Sequence, residues 1–138
     1  MLKQSVGTIL LLLVFVANSV DAQSAHRFKV DVPFQFVLND QTLPAGTYVV
    51  ERTDPGRPNI LTVKKLDGGV VRVVITHRVE KETPSTASSL VFIRRDGKHY
   101  LFQVWNVAAM NGSEIPLSFD KKTKDQQRNT LVTLKARQ

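Results

Sequence analysis

The chain contains no cysteine among its 138 residues. Disulfide bonds, thiol nucleophiles, cysteine-based zinc sites and the acylated cysteine of a bacterial lipoprotein anchor are therefore excluded. Also absent are a G-x-S-x-G nucleophile elbow and a glycine-rich loop that could hold a phosphate. Beyond the first 22 residues, no stretch approaches the roughly 20 apolar residues that a transmembrane helix needs.

The N-terminus has the pattern of a secretory signal peptide. Lys3 precedes an apolar run over Val6–Val16, and Val20-Asp21-Ala22 places compact residues before a cleavage site. The run of about 11 residues is too short to span a bilayer, which disfavours the alternative of an uncleaved anchor. We predict cleavage after Ala22, which leaves residues 23–138 as one exported domain, periplasmic or extracellular.

The charge balance is basic: 19 Lys and Arg against 12 Asp and Glu give a net charge of +7. Such a charge attracts anionic partners. For an exported chain these are an anionic envelope component, such as lipid headgroups or acidic polysaccharide. Nucleic-acid binding is not predicted, because it takes basic groups interleaved with aromatic ones on an open surface.

From residue 28 onward the pattern is that of β-strands. Apolar residues alternate with polar ones, Val, Ile, Phe, Tyr and Thr are frequent, and no segment keeps a helical period. We predict an all-β fold with no metal or cofactor. The expected strands are Phe28–Leu38, Thr47–Arg52, Ile60–Leu66, Val70–Val79, Leu90–Arg95, Tyr100–Val107, Ile115–Phe119 and Leu131–Lys135.

Turn residues separate these runs. Asp67-Gly68-Gly69 and Asp96-Gly97 are typical of tight hairpins, which need positive φ angles. Asn39-Asp40, Asp54-Pro55-Gly56 and Asn111-Gly112 predict further corners. Because short turns usually join adjacent antiparallel strands, we expect a single meander of about eight or nine strands. The sequence leaves open whether it closes as a β-barrel or folds as a β-sandwich.

His77 has two interpretations, a residue of a pocket or a hydrogen-bonded histidine at the rim of the core. It is in phase with Val71, Val73 and Ile75, which predicts that it faces inward near a strand end. The other histidines, His26 and His99, are too far away in sequence to suggest a metal site.

The run Tyr100–Val107 is apolar on both of its expected faces. Such a strand is either covered twice, for example by the charged segment Asp120–Asn129, or exposes an apolar binding surface centred on Trp105. The two faces are expected to carry Tyr100, Phe102 and Val104 on one side, and Leu101, Trp105 and Val107 on the other.

Basic residues flank the predicted Asp96-Gly97 turn and so gather at one end of the fold. We predict a ligand-binding region there, for an anionic group or a small apolar ligand. Its residues are His77, Arg94, Arg95, Lys98, Tyr100 and Trp105.

Three segments together resemble an uncharacterised family of small secreted bacterial all-β proteins. They are VPFQF at 32–36, LPAGTYVVE at 43–51 and LVFIRRDGKHYLFQVW at 90–105. The resemblance implies an exported all-β domain and brings no activity or site residues. The residues of LPAGTY suit a corner between strands, in which Tyr48 is expected to keep its hydroxyl in water.

Three functions remain open. The preferred one is an exported, non-catalytic binding or envelope-associated protein. An envelope hydrolase or isomerase would need an interior site near His77. A structural subunit that assembles by strand pairing would need an unprotected edge strand.

Overall fold

The computed structural model describes residues 26–52, 54–117 and 129–137. The described residues contain strands and no helix, so the predicted all-β fold is confirmed. The predicted signal peptide and most of Asp120–Asn129 lie outside the described residues. The strands are β1 (Arg27–Val32), β2 (Phe36–Leu38), β3 (Gln41–Leu43), β4 (Gly46–Glu51), β5 (Ile60–Lys65), β6 (Val71–Ile75), β7 (His77–Glu80), β8 (Ser89–Arg95), β9 (Lys98–Trp105), β10 (Asn111–Glu114) and β11 (Thr130–Lys135).

The strands form two sheets. The first has the order β1-β4-β5-β6, and the second has the order β11-β8-β9-β10-β7. In the second sheet, β2 also pairs with β9, in parallel, and with β3. The pairs β1–β4, β7–β10 and β8–β11 join strands that are not consecutive, so the order is not that of a single meander. The described strands do not close into a barrel.

Both sheets contribute to one hydrophobic core. Phe36 of the second sheet meets Tyr48 of the first edge to face, with ring centroids 5.1 Å apart. Phe36 also contacts Phe92 edge to face at 5.4 Å. Such aromatic pairs contribute about 0.5–1.5 kcal/mol each beyond the area they bury. The contact between Phe36 and Tyr48 therefore helps fix how the first sheet lies on the second.

Tyr48 ties the corner before β4 to the core. Its side chain is fully buried, and its hydroxyl donates a hydrogen bond of 2.6 Å to the carbonyl oxygen of Pro44. The expectation that this hydroxyl lies in water was wrong, because the corner supplies an internal acceptor. Burial raises the pKa of Tyr48, and the nearby Asp67 carboxylate adds to the effect.

The predicted turns between β2 and β3 and between β8 and β9 are confirmed. Asn39 and Asp40 have φ angles of 48° and 63°, and Asp96 and Gly97 have 51° and 72°. Two consecutive positive φ values match the twist of a hairpin. Two further predictions were wrong at the other end of the chain. Asn111-Gly112 belongs to β10, and residues 115–117 form no strand.

The predicted strand Val70–Val79 is divided at Thr76. Before it, β6 pairs with β5 in the first sheet; after it, β7 pairs with β10 in the second. Thr76 is buried at this crossing, the point where the chain passes from the first sheet to the second. Its N–H and its hydroxyl both donate to the carbonyl oxygen of Asn59, at 2.8 and 3.1 Å, and these bonds fix its position. An alternating apolar pattern cannot show where a strand changes sheets.

Candidate functional site

A β-bulge changes the faces of β9. Val91 of β8 pairs with Gln103, whereas the next residue, Phe92, pairs with Leu101, so that Phe102 has no partner in β8. The extra residue shifts the alternation, and Leu101 and Val104 both reach the core. The predicted grouping of Tyr100, Phe102 and Val104 on one face was therefore wrong.

Trp105 is enclosed. Its ring lies over Gly112 of β10, where an added Cβ would come within 2.7 Å of the ring carbons. Lys81 places its Nζ 4.4 Å from the ring centroid, and the indole Nε1–H donates to Gln103 Oε1 at 3.2 Å. Only 8% of Trp105 is exposed. The ring therefore packs against its own sheet and does not offer the open aromatic surface that the sequence suggested.

His77 is exposed, so the prediction that it faces inward was wrong. The residues that alternate in phase with it, Val71, Val73 and Ile75, are also exposed. The buried residues of this segment are Val74 and Thr76, which lie in the opposite phase. His77 lies opposite Glu114 in the register of β7 and β10. Glu114 Oε2 accepts a hydrogen bond of 2.8 Å from Gln103 Nε2.

The basic residues of the β8–β9 hairpin do come together. Arg95 lies opposite Lys98, and Arg94 lies opposite His99. His99 stacks on Phe34, with ring centroids 3.7 Å apart. Burial, and secondarily the charge of Arg94, lower the pKa of His99.

The six predicted site residues do not form one site. Tyr100 is half-buried beside the hairpin, opposite Ile93. Trp105 lies at the other end of β9, roughly 23 Å from Lys98 at about 3.3 Å per residue. His77 lies on β7, beyond β10. The hairpin cations therefore stand apart from both His77 and Trp105.

A cavity of about 150 Å³ opens instead where the ends of the two sheets meet. The connection between β4 and β5, the residue Thr76 between β6 and β7, and the strands β7 and β10 supply its walls. No Asp or Glu of the described residues lines it. Its polar lining residues are Arg52, Asn59, Thr76, Arg78, Asn111 and Ser113.

Two guanidinium groups, those of Arg52 and Arg78, line this cavity. The Nε atom of Arg52 is buried and has no hydrogen-bond partner among the described residues. Arg78 is paired with Glu80 at 3.0 Å, but both side chains are about two-thirds exposed, and such a surface pair holds its partners weakly. Arg52 makes no ion pair within the described residues. A buried arginine donor without an acceptor is costly, and an anionic ligand would supply the acceptor.

Sequence reasoning missed this cavity because its residues lie in four separate segments. Arg52 follows a strand of the first sheet, and Arg78 and Ser113 lie on strands of the second. No short motif joins them. One feature of the sequence could have indicated the cavity: Arg52 is a cation that directly follows the predominantly apolar strand β4.

Within the described residues, no three His, Asp or Glu side chains are placed to hold a metal ion together. No helix in that part of the chain could cross a membrane. Comparisons with protein-family models, with curated proteins and with solved structures each return no match.

Proposed function

We propose that the chain is an exported, non-catalytic β-sandwich protein that binds an anionic group of the cell envelope. The binding site is the cavity between Arg52 and Arg78. The observation that carries the proposal is the buried Arg52 Nε, a charged donor without a partner in a cavity that no described carboxylate lines. The proposed site lies apart from the hairpin of Arg94, Arg95 and Lys98.

The size of the cavity supports a single charged group as the ligand. Pockets for drug-sized molecules run from about 300 to 1,000 Å³. The cavity here is about 150 Å³, which favours one phosphate, sulfate or carboxylate group projecting from a larger molecule. A small apolar ligand would leave Arg52 Nε without an acceptor.

The chemistry of the lining residues supports the same ligand class. A guanidinium presents five donors in a planar fork that matches the oxygens of carboxylate and phosphate groups. Asn111 and Ser113 add neutral polar groups beside the two arginines. The net charge of +7 would increase the rate at which anionic surfaces are encountered at low salt.

The test is a binding titration of residues 23–138 against two probes. One probe is vesicles containing an anionic phospholipid, and the other is an acidic polysaccharide, so that the two arms distinguish lipid from glycan as the source of the anion. Arg52→Lys keeps the charge but removes the Nε donor and the fork. We expect it to weaken binding about tenfold, since a hydrogen bond to a charged group contributes about 1.5–3 kcal/mol. Arg78→Gln should weaken it as well.

Arg94→Gln is the matched control, because it removes the same charge as Arg78→Gln from an exposed position outside the cavity. We expect it to change binding less than either cavity variant. Equal losses in all three variants would point to a nonspecific cationic surface. A loss confined to Arg94→Gln would locate the site at the hairpin, and absence of binding to both probes would refute the proposal.

The envelope hydrolase or isomerase is the less favoured function. An interior site needs its general base in a cavity, within hydrogen-bond reach of a proton to be moved. His77 is exposed and does not line the cavity.

A further inference from the structure

The strands β7 and β10 place four side chains in a two-by-two block at the cavity. Arg78 lies opposite Ser113, and Glu80 lies opposite Asn111. Residues two apart on a strand share a face, so all four side chains lie on the same side of the two strands. Arg78, Ser113 and Asn111 line the cavity, whereas Glu80 does not. The block therefore has three corners in the cavity wall and one carboxylate beside it.

The hydrogen bonds between the two strands bring Glu80 close to the cavity wall. Lys81 N–H donates to the carbonyl of Met110 at 2.9 Å, so these two residues form a hydrogen-bonded pair. Bonded and non-bonded pairs alternate along an antiparallel ladder. The next pair, Glu80 with Asn111, is therefore a non-bonded one, in which the Cα atoms are about 4.5 Å apart and the side chains lie closest.

Glu80 already engages one of the two guanidinium groups that line the cavity. Its Oε1 lies 3.0 Å from a terminal nitrogen of Arg78. The other guanidinium, that of Arg52, makes no ion pair within the described residues. An anion in the cavity and the carboxylate of Glu80 therefore compete for Arg78, and their like charges also repel each other.

A carboxylate that pairs with an arginine can instead hold that arginine in position for a ligand. Such a role needs a pair that is rigidly held, but the side chains of Arg78 and Glu80 are 68% and 70% exposed. Exposed ion pairs are weak, because water solvates both charges and both side chains keep their freedom to move. The pair therefore restrains Arg78 little, and its effect on a ligand is competition and repulsion.

We propose that Glu80 is a built-in competitor of the ligand, an inference that rests on the anion site proposed above. An anion that enters the cavity takes over Arg78, and the Glu80 carboxylate turns to solvent. When the anion leaves, Glu80 pairs with Arg78 again. The site thus holds its ligand less tightly than Arg52 and Arg78 alone would, and binding stays reversible.

The test measures the affinity of residues 23–138 for sulfate at constant ionic strength, from the NMR signal of the Arg52 Nε–H. Glu80→Gln removes the competing charge and keeps the size of the side chain. We expect it to bind sulfate about two- to fivefold more tightly than the parent chain, which corresponds to the strength of an exposed ion pair. Glu82→Gln is the matched control, because Glu82 is exposed and makes no ion pair within the described residues. It should change the affinity less.

Two further measurements separate competition for Arg78 from a general effect of charge. In an Arg78→Gln chain, the additional change Glu80→Gln should tighten sulfate binding no more than Glu82→Gln does. In the parent chain, the carboxyl carbon signal of Glu80 should shift with sulfate and saturate together with the Arg52 Nε–H signal, while that of Glu82 stays in place. If the Arg78→Gln chain binds sulfate too weakly for a measurement, the carboxyl carbon signals decide.

Unchanged sulfate binding in Glu80→Gln would overturn the proposal, and weaker binding would make Glu80 a positioning residue for Arg78 instead. Equal tightening in Glu80→Gln and Glu82→Gln would also overturn it, as would a Glu80 carboxyl signal that sulfate leaves unchanged. In each of these cases the anion site itself stands. Absence of saturable sulfate binding in both the parent chain and Glu80→Gln would refute the proposed function, and the competitor with it.

Discussion

The indole ring of Trp105 lies on the backbone of Gly112 in the neighbouring strand. A Cβ at position 112 would approach three ring carbons to 2.7–3.0 Å, which leaves no room for a side chain. The ring covers the junction of β9 and β10 and is itself covered by Lys81. The one tryptophan of the chain is thus a packing element and a built-in fluorescent reporter of this junction.

Gly112→Ala is expected to displace the ring of Trp105. Because overpacking a filled site costs about 1–3 kcal/mol, we expect a loss of that size in the free energy of unfolding. Urea denaturation followed by tryptophan fluorescence measures both the loss and a changed emission of the folded state. Gly56→Ala is the control, because Gly56 lies in an exposed turn where the nearest atom to an added Cβ is Asp54 Oδ1 at 3.2 Å. It should change neither the free energy of unfolding nor the emission of the folded state. An unchanged emission in Gly112→Ala would contradict the packing described.

Tyr48→Phe removes the donor to the Pro44 carbonyl and should lower the free energy of unfolding by about 1 kcal/mol. It should also change the response to alkali. Because the pKa of Tyr48 is raised in the folded chain, its contribution to stability is complete below the ordinary value of 10.0 and falls as pH rises through the folded value. The parent chain should lose stability above pH 10 more steeply than Tyr48→Phe. Parallel curves would show that the hydroxyl is not buried.

Asp31→Asn should reduce the stability of the chain above pH 4 and have less effect below it. The Asp31 carboxylate accepts hydrogen bonds from Thr47 and Arg137, and these contacts, in that order, lower the pKa of Asp31 from 3.8. Stability from a lowered pKa is present above the ordinary value and is lost as pH falls through the folded one. Urea unfolding at a series of pH values measures the difference. Glu82→Gln, an exposed substitution without these contacts, is the control.

Thr76→Val replaces the hydroxyl at the crossing between the sheets with a methyl group of similar volume. The lost hydrogen bond to Asn59 should cost about 1 kcal/mol of unfolding free energy. Thermal unfolding measures this change, with the exposed Thr133→Val as the control. Equal melting temperatures for the parent chain and Thr76→Val would show that the backbone bond alone holds the crossing.

Local features of the fold could be predicted from the sequence. The Asp96-Gly97 turn and the strand around Leu131–Lys135 follow from residue types that favour one backbone conformation. Features that depend on distant partners could not be predicted. The division at Thr76 depends on the carbonyl of Asn59, and the bulge at Phe102 depends on how β8 pairs with β9.

The same limit applies to the candidate site. The Arg94–Lys98 hairpin was identified because its cations are neighbours in sequence. His77 was assigned to the wrong face because the exposed side of β6 is more regularly apolar than its buried side. Arg52 and Arg78 line one cavity because the end of β4 and the beginning of β7 lie beside it, and sequence spacing does not record that. The exported location and the family resemblance stay predictions.

The most direct test of the central claim is the arginine Nε–H region of the proton–nitrogen NMR spectrum, followed while sulfate is added to residues 23–138. The buried Arg52 Nε–H should be protected from exchange with water, and it should shift saturably together with the Nε–H of Arg78. Under the same conditions the Nε–H signal of Arg94 should shift little, and its shift should not saturate. Saturable shifts at Arg94 and Arg95, with Arg52 and Arg78 unchanged, would contradict an anion site between the two sheets.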